Sequence, residues 1–383
     1  MRVIGCYHPL KGFPIGVTDA GKTKYKVLPY TVDHIERRRG VWYAINSDKL
    51  SAYREASVRD FVPIPCGKCI GCRLDYSRQW ANRMMLELEL HDSAYFVTLT
   101  YDDLHVPRTM YADPDTGEAF QALTLSKRDF QLWMKRLRKE YADDNIRYFA
   151  AGEYGSQTAR PHYHAIVFGL HIDDLEVFKK SPRGDTYYRS ERLERTWSRY
   201  VKPEKQFDTA CAESEKGTGS GYWELFGHVL VAQVTWNTCA YVARYVTKKL
   251  DSDEVILDQY GFKQKGPDPY EQVGIEKPFC LMSRRPGIAA DWYKLHPDKA
   301  KESYINISTD DGGKKFAPPK YFDHFLELDD PEFYEGLKER RKRSAVAAVE
   351  ARMRNTGLQY LDYLDVSERN HLARIKSLER NKC

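Results

Sequence analysis

Arg160-Pro161-His162-Tyr163-His164-Ala165-Ile166-Val167-Phe168 is the stretch on which the fold turns, because two histidines alternate with other residues at the start of a hydrophobic run. Residues i and i+2 of a strand project to the same face, so a strand here aims both imidazoles at one locus. Two such imidazoles suit a metal ion; taken alone, His-x-His reads equally as a pair of satisfied or solvent-facing histidines. Upstream, residues 146–151 form a second strand-like run. Its exit, Gly152-Glu153-Tyr154-Gly155, offers a carboxylate beside the same sheet, with the two strands pairing antiparallel across the loop 152–161. Glu153, His162 and His164 supply three ligands and leave positions for substrate oxygens and water, as a catalytic Lewis acid requires. Ligand softness admits zinc or manganese, and phosphate chemistry admits magnesium.

Working outward, Ala94 to Thr100 (AYFVTLT) is a short β-branched and aromatic run with a polar exit, Tyr101-Asp102-Asp103, and reads as a buried strand. Ser126 to Tyr141 opens with a serine and an aspartate three residues on, the pattern of a helix start. Phe130, Trp133, Met134 and Leu137 share one face of that helix, and Lys127, Arg128, Lys135, Arg136, Arg138 and Lys139 give it a basic outer face that suits either DNA or surface salt bridges. Trp80 and Trp133 read as core. Residues 171–227 are polar, carry a helix expected near 187–200 and a KGTGSG tract, and read as an insertion. Val229 to Thr235 is strand-like again and feeds a helix over Trp236 to Leu250.

On that last helix, Tyr241, Arg244, Tyr245 and Lys248 fall at i, i+3, i+4 and i+7, while Cys239, Val242, Val246 and Leu250 make a separate apolar stripe. Helical tyrosines at i, i+4 are ordinarily packing residues, but here the other stripe already serves the core. Two phenols flanked by an arginine and a lysine suit attack on phosphate, because cations stabilise both a phenolate and a pentavalent transition state.

The chain has 383 residues with 60 basic and 55 acidic, a formal charge of +5, so an acidic polymer is a permitted partner that local clusters must justify. With 42% hydrophobic and 30% charged residues, the composition excludes collagen-like, wholly disordered and multi-span membrane classes. Twenty-seven tyrosines are a surplus that core, interface, base stacking and nucleophile roles all explain. The amino terminus has no signal-peptide pattern, which points to the cytoplasm and to no membrane role. In a reducing compartment Cys66, Cys69 and Cys72 suggest a metal knuckle capping a helix, either structural zinc or an iron–sulfur cluster. A fourth ligand must come from a distance, and Cys6 or His8 are the candidates. Residues 1–62 are mixed, with one strand expected at Val41 to Ile45. From Pro331 the chain reads as a charged helical tail whose basic run, Lys338 to Arg343, is a solvated face.

Phe96-Val97-Thr98-Leu99-Thr100, then Pro161-His162-Tyr163-His164, then Tyr241-x-x-x-Tyr245 with Lys248-Lys249, in that order, resemble the HUH rolling-circle replication initiators. The likeness is strongest to those of the single-stranded DNA microviruses of gokushovirus type, which also look similar in Cys66-Gly67-Lys68-Cys69-x-x-Cys72-Arg73, Gly152-Glu153-Tyr154-Gly155 and Met282-Ser283-Arg284-Arg285-Pro286-Gly287. It runs over about residues 63–290 and implies an α+β fold: a central antiparallel sheet of about five strands flanked by helices, with a Cys-rich N-terminal extension and a helical C-terminal tail. The corresponding domains are 1–90, a nuclease core at 91–255 with the insertion near 171–227, and 256–383.

The resemblance further implies Mg2+ or Mn2+ on His162, His164 and Glu153, with Tyr241 or Tyr245 attacking the scissile phosphate of single-stranded origin DNA. Arg244 and Lys248 would position phosphate or assist the leaving group. A 5′-phosphotyrosine and a 3′-hydroxyl would result in the cytoplasm of a bacterial host, with a host polymerase and helicase as partners. Related readings are a relaxase or transposase with the same chemistry, and a non-catalytic DNA-binding protein stabilised by zinc or iron–sulfur. Many relaxases place the nucleophile before the histidines, which the order here does not.

Overall fold

A computed structural model of the protein describes residues 5–19, 21–112, 116–155, 158–181, 184–201, 222–248, 255–257, 263–265, 274–309 and 312–380. Two compact units make up the chain: Ser77–Phe322, and a terminal unit of Met1–Tyr76 with Asp323–Cys383.

The central unit is built on seven strands, β1 (Ala94–Thr100), β2 (Arg147–Tyr154), β3 (Pro161–Phe168), β4 (Glu176–Lys180), β5 (Thr186–Arg189), β6 (Val229–Gln233) and β7 (Phe279–Met282). They lie side by side in the order β4-β5-β6-β1-β3-β2-β7, and every neighbouring pair is antiparallel. The α+β class expected from the sequence is observed, but the sheet has seven strands rather than about five. The extra strands are the edges. β4 (EVFKK) is exposed throughout and lysine-bearing, so its sequence reads as polar surface, which is how natural edge strands resist unwanted pairing. β7 has only four residues and stands between loop-like segments. The helix expected near 187–200 is in fact a six-residue helix, Glu191–Thr196, between two short strands.

One face of the sheet carries the main core. Val97, Leu99, Tyr163, Ala165, Val167, Val229 and Val231 pack with Phe130, Trp133, Met134 and Leu137, all buried, the last four from helix α2 (Lys127–Glu140). Ser126 caps α2 as expected, its side chain accepting from the Asp129 N–H at 3.1 Å. The basic face of α2 is partly spent inside the protein: Arg136 Nε donates to Thr196 O at 2.6 Å, an Arg138 nitrogen to Ile146 O at 3.2 Å, and Lys127 pairs with Glu276. The opposite face is covered by helix α3 (Trp236–Lys248), which packs on β2, β3 and β7. Beside it runs helix α1 (Ile70–Leu88), whose Trp80 ring lies 5.0 Å from that of Phe149 and whose Ser77 donates to Ala240 O at 3.2 Å.

Both ends of β2 are held. At its start Arg147 pairs with Glu87 of α1 and donates to the carbonyls of Pro286 and Gly287 at 3.0 and 3.1 Å. Near its end, a Cβ on Gly152 would come 2.9 Å from the Phe279 ring, so glycine permits β7 to close on β2 there.

The terminal unit contains two three-stranded sheets and the helices α4 (Pro331–Met353) and α5 (Tyr360–Arg380). Val41–Ile45 is a strand as expected, with five more beside it: Leu10–Val17, Thr23–Pro29, His34–Arg38, Ala56–Val58 and Val62–Ile64. A small core of Phe13, Val32 and Ile35 fills it. The charged tail is helical, and Asp330 caps α4 by accepting from the Phe333 N–H.

Burial opposes the charge of Glu87, but His91, the Ala289 N–H and Arg147 together outweigh it and hold the carboxyl below its ordinary range. Its stabilising contribution is therefore present above the ordinary carboxylate range and lost as pH falls through the lowered value. Glu87→Gln is expected to cost about 3–5 kcal/mol in urea unfolding at pH 7, since it leaves Arg147 without its charge partner. The variant should also show a shallower loss of stability between pH 7 and pH 3; an unchanged acid limb would contradict this account.

Candidate metal and tyrosine site

The register of three strands assembles the site. On β2 and β3, Glu153 stands opposite His162 and Ala151 opposite His164; on the other side of β3, His162 faces Thr100 and His164 faces Thr98 of β1. Opposed residues share a face, so Glu153, both histidines and both threonines point away from the α2 core. Glu153 and His164 are buried and His162 is partly so. The Glu153 Oε1 atom lies 3.0 Å from His162 Nε2 and 3.1 Å from His164 Nε2.

The other ring nitrogens are engaged elsewhere. His162 Nδ1 lies 3.1 Å from the Arg160 carbonyl and His164 Nδ1 lies 3.0 Å from Thr98 Oγ1. Phe96 stacks on His164 with ring centroids 5.4 Å apart and planes 12° from parallel. Both Nε2 atoms are thereby turned toward one carboxylate, and all three ligand atoms fall within 4.8 Å of one another. A carboxylate and two imidazole nitrogens gathered this closely need positive charge between them, from imidazole protons or from a divalent cation, and the oriented rings are the arrangement seen around ligated metals.

Tyr241 of α3 reaches into this group. Its hydroxyl donates to Glu153 Oε1 at 3.2 Å and lies 3.4 Å from His164 Nε2, while its ring meets His164 edge-on at 5.1 Å. The apolar stripe faces inward, with Cys239 and Val242 fully buried. Arg244 is exposed, its guanidinium carbon 5.5 Å from the Tyr241 ring centroid. Tyr245 and Lys248 belong to the same helix, but their side chains lie outside the described residues. Sequence reading missed Thr98 and Phe96, although Phe96, Thr98 and Thr100 repeat at the period of two that singled out the histidines.

Residues 94–250, which hold this entire group, match a protein family described by its replication-associated protein ORF2. Over 324 residues the chain is 30% identical to replication-associated protein ORF2 of Spiroplasma virus 4, covering 83% of this chain and 85% of that protein. Replication-associated protein VP4 of Bdellovibrio phage phiMH2K is 28% identical over 261 residues, 62% of this chain and 70% of the relative. Replication-associated protein ORF4 of Chlamydia phage 1 is 30% identical over 222 residues, covering 56% and 45% of the two chains. The chain belongs to the family of microvirus replication-associated proteins. No solved structure matches it.

This family member carries a second cluster, in its terminal unit. Cys6, Cys66, Cys69 and Cys72 bring their sulfurs within 4.8 Å of one another, so Cys6 completes the group expected from the sequence. His8 does not; its Nε2 lies 2.5 Å from Glu368 Oε2. Hydrogen bonds from the Cys6 and Cys72 thiols, helped by the N–H groups of Cys72 and Tyr7, hold Cys69 well below the usual thiol range against the effect of burial. Among the described residues, no helix is long and apolar enough to cross a membrane.

Thr98→Val removes the oxygen that orients His164 while keeping its shape. Mn2+ affinity, read by isothermal titration, should fall about 10–100-fold, the usual cost of losing a partner behind a ligand. Unchanged affinity would show that Thr98 does not orient the ring.

Proposed function

We propose that this protein initiates rolling-circle replication of a single-stranded DNA phage genome, cutting and rejoining one strand of the origin through Tyr241 and Tyr245. The observation that carries this reading is the Tyr241 hydroxyl, 3.2 Å from Glu153 Oε1 and 3.4 Å from His164 Nε2. A nucleophilic oxygen thus sits beside the three groups suited to a cation, where a phosphate between them would meet both. Glu153, His162 and His164 would hold Mg2+ or Mn2+, which when bound polarises phosphorus and neutralises charge growing on the non-bridging oxygens.

The chain's own residues do the rest. Tyr241 or Tyr245 attacks phosphorus in line; a bond forms from the phenolic oxygen to phosphorus, and the bond to the 3′ oxygen breaks. The leaving oxygen takes up a proton and becomes a 3′-hydroxyl that a host polymerase extends. The 5′ end stays on the enzyme as a phosphotyrosine, so the phosphoester is conserved and rejoining needs no nucleotide. Arg244, beside the Tyr241 ring, favours the phenolate, and Lys248 of the same helix positions phosphate or assists the leaving group. When the origin is regenerated, the unused tyrosine cuts it, and the new 3′-hydroxyl attacks the first phosphotyrosine to close a circle. This chemistry belongs in the cytoplasm of a bacterial host, with a helicase to open the duplex.

Incubation of the full chain with a labelled single-stranded origin oligonucleotide and Mg2+ or Mn2+ should yield a covalent adduct that survives denaturing electrophoresis. Replacing both Tyr241 and Tyr245 with Phe should remove it, a loss of about 10³-fold or more on the scale of a deleted nucleophile. No adduct from the wild-type chain, or an adduct that persists in the double variant, would overturn strand nicking at these residues and favour a binding protein.

A further inference from the structure

The four cysteines of the terminal unit take no part in the proposed chemistry, and their geometry is selective. Cys66 and Cys72 sulfurs are 4.0 Å apart and those of Cys6 and Cys69 are 3.9 Å apart. Disulfide bonding requires about 2 Å, so these are not bridges. Four thiolates at about 2.3 Å from one zinc ion are separated by about 3.8 Å along the edges of a tetrahedron. A multi-iron cluster places iron and sulfide between its cysteines and holds them farther apart.

The backbone is shaped to the group as well. The Tyr7 N–H points to Cys69 Sγ at 3.3 Å, the Cys69 N–H to Cys66 Sγ at 3.3 Å and the Cys66 N–H to Cys6 Sγ at 3.2 Å, the donation that a thiolate rewards. Gly67, with φ of 75°, makes the turn between the first two ligands of the knuckle. At Gly71 a Cβ would lie 2.4 Å from the Gly5 carbonyl, so glycine is what lets the segment bearing Cys6 lie on the first turn of α1.

The residues next to Cys6 hold the last helix. Tyr7 Oη is 2.9 Å from His371 Nδ1, and His8 Nε2 reaches Glu368, both on α5. An independent contact, the Tyr30 and Tyr360 rings at 5.4 Å, fixes the first turn of that helix.

We propose that Cys6, Cys66, Cys69 and Cys72 bind a single zinc ion and that this ion, by fixing residues 5–8 on the start of α1, seats the C-terminal helix α5. Without the ion, Cys6 has only weak thiol contacts to hold it, and the Tyr7 and His8 tethers lose their fixed origin.

The full chain, purified with zinc, is the material to test. Elemental analysis should find one zinc per chain that persists when His162 and His164 are both changed to Ala and is lost in Cys69→Ser. Cobalt exchanged into the wild-type chain should give the strong visible and near-ultraviolet absorption of a tetrathiolate site. Stripping the zinc from wild type with a chelator under reducing conditions should raise amide exchange over residues 367–375 about tenfold or more, with a smaller change near Tyr360. His371→Ala should keep the zinc and show part of the same increase.

Iron in place of zinc, no metal on the cysteines, or a cobalt spectrum without thiolate bands would overturn the zinc assignment. Unchanged exchange in α5 after zinc removal would overturn the coupling. The chelation and cobalt measurements use the unaltered chain, so neither depends on a cysteine variant that fails to fold, and none depends on DNA cleavage.

Discussion

Everything at the catalytic end of the sheet depends on where Tyr163 goes. Its phenol is fully buried against Phe130 and Trp197, donates to the Ser126 carbonyl and receives the Ser126 N–H, both at 3.0 Å, and lies 2.9 Å from Tyr101 Oη. A large side chain so completely satisfied on the α2 side leaves β3 one facing, and His162 and His164 must then emerge together on the other. Slipping the strand by one residue would drive both imidazoles into the core and expel the tyrosine, costing several buried hydrogen bonds and a ring's worth of apolar burial. The histidine pair is thus oriented by the residue between them.

β2 is constrained by different means. Arg147, at its start, is tied to Glu87 and to two carbonyls beyond β7, and Glu153, near its end, is opposed to His162. Between these points Phe149, Ala150 and Ala151 are buried on alternate faces, so the strand has no freedom to shift along β3. A buried ion pair is an expensive way to gain stability, and apolar replacements often do as well. What it supplies here is position: the charge pair fixes the far end of the strand whose near end presents a carboxylate to two imidazoles.

How much of this was legible follows from the range of the interactions. β1, β3, α2 and α3 announce themselves through local period and capping, and the structure places them within a residue or two of the expectation. His162 and His164 were visible for the same reason, and Glu153 because its strand adjoins theirs in the chain. Edge strands were not legible, since β4 buries nothing and β7 is too short to show a period. The joining of Cys6 to a knuckle sixty residues away, and of both chain ends into one unit, leaves no local trace in composition. Cys6 and His8 were equally available as ligands in the sequence; only the proximity of Glu368, on a helix more than 350 residues later, separates them.

On the proposed reading, the spacing of the two tyrosines sets a limit on how they exchange roles. Four residues on an α-helix advance about 6 Å along the axis and turn slightly past a full revolution, so both phenols belong to one face but to successive levels. A single phosphate held by the Glu153, His162 and His164 group therefore meets one phenol at a time, and the second cut requires either a shift of the DNA or a small rotation of α3 about its length. Val242 and Cys239, fully buried on the opposite stripe, resist translation of the helix, because each side chain would have to leave a filled site. Movement of the flexible polymer costs less than repacking the core, so the strand, carrying its own phosphate, is the element that moves between one tyrosine and the next.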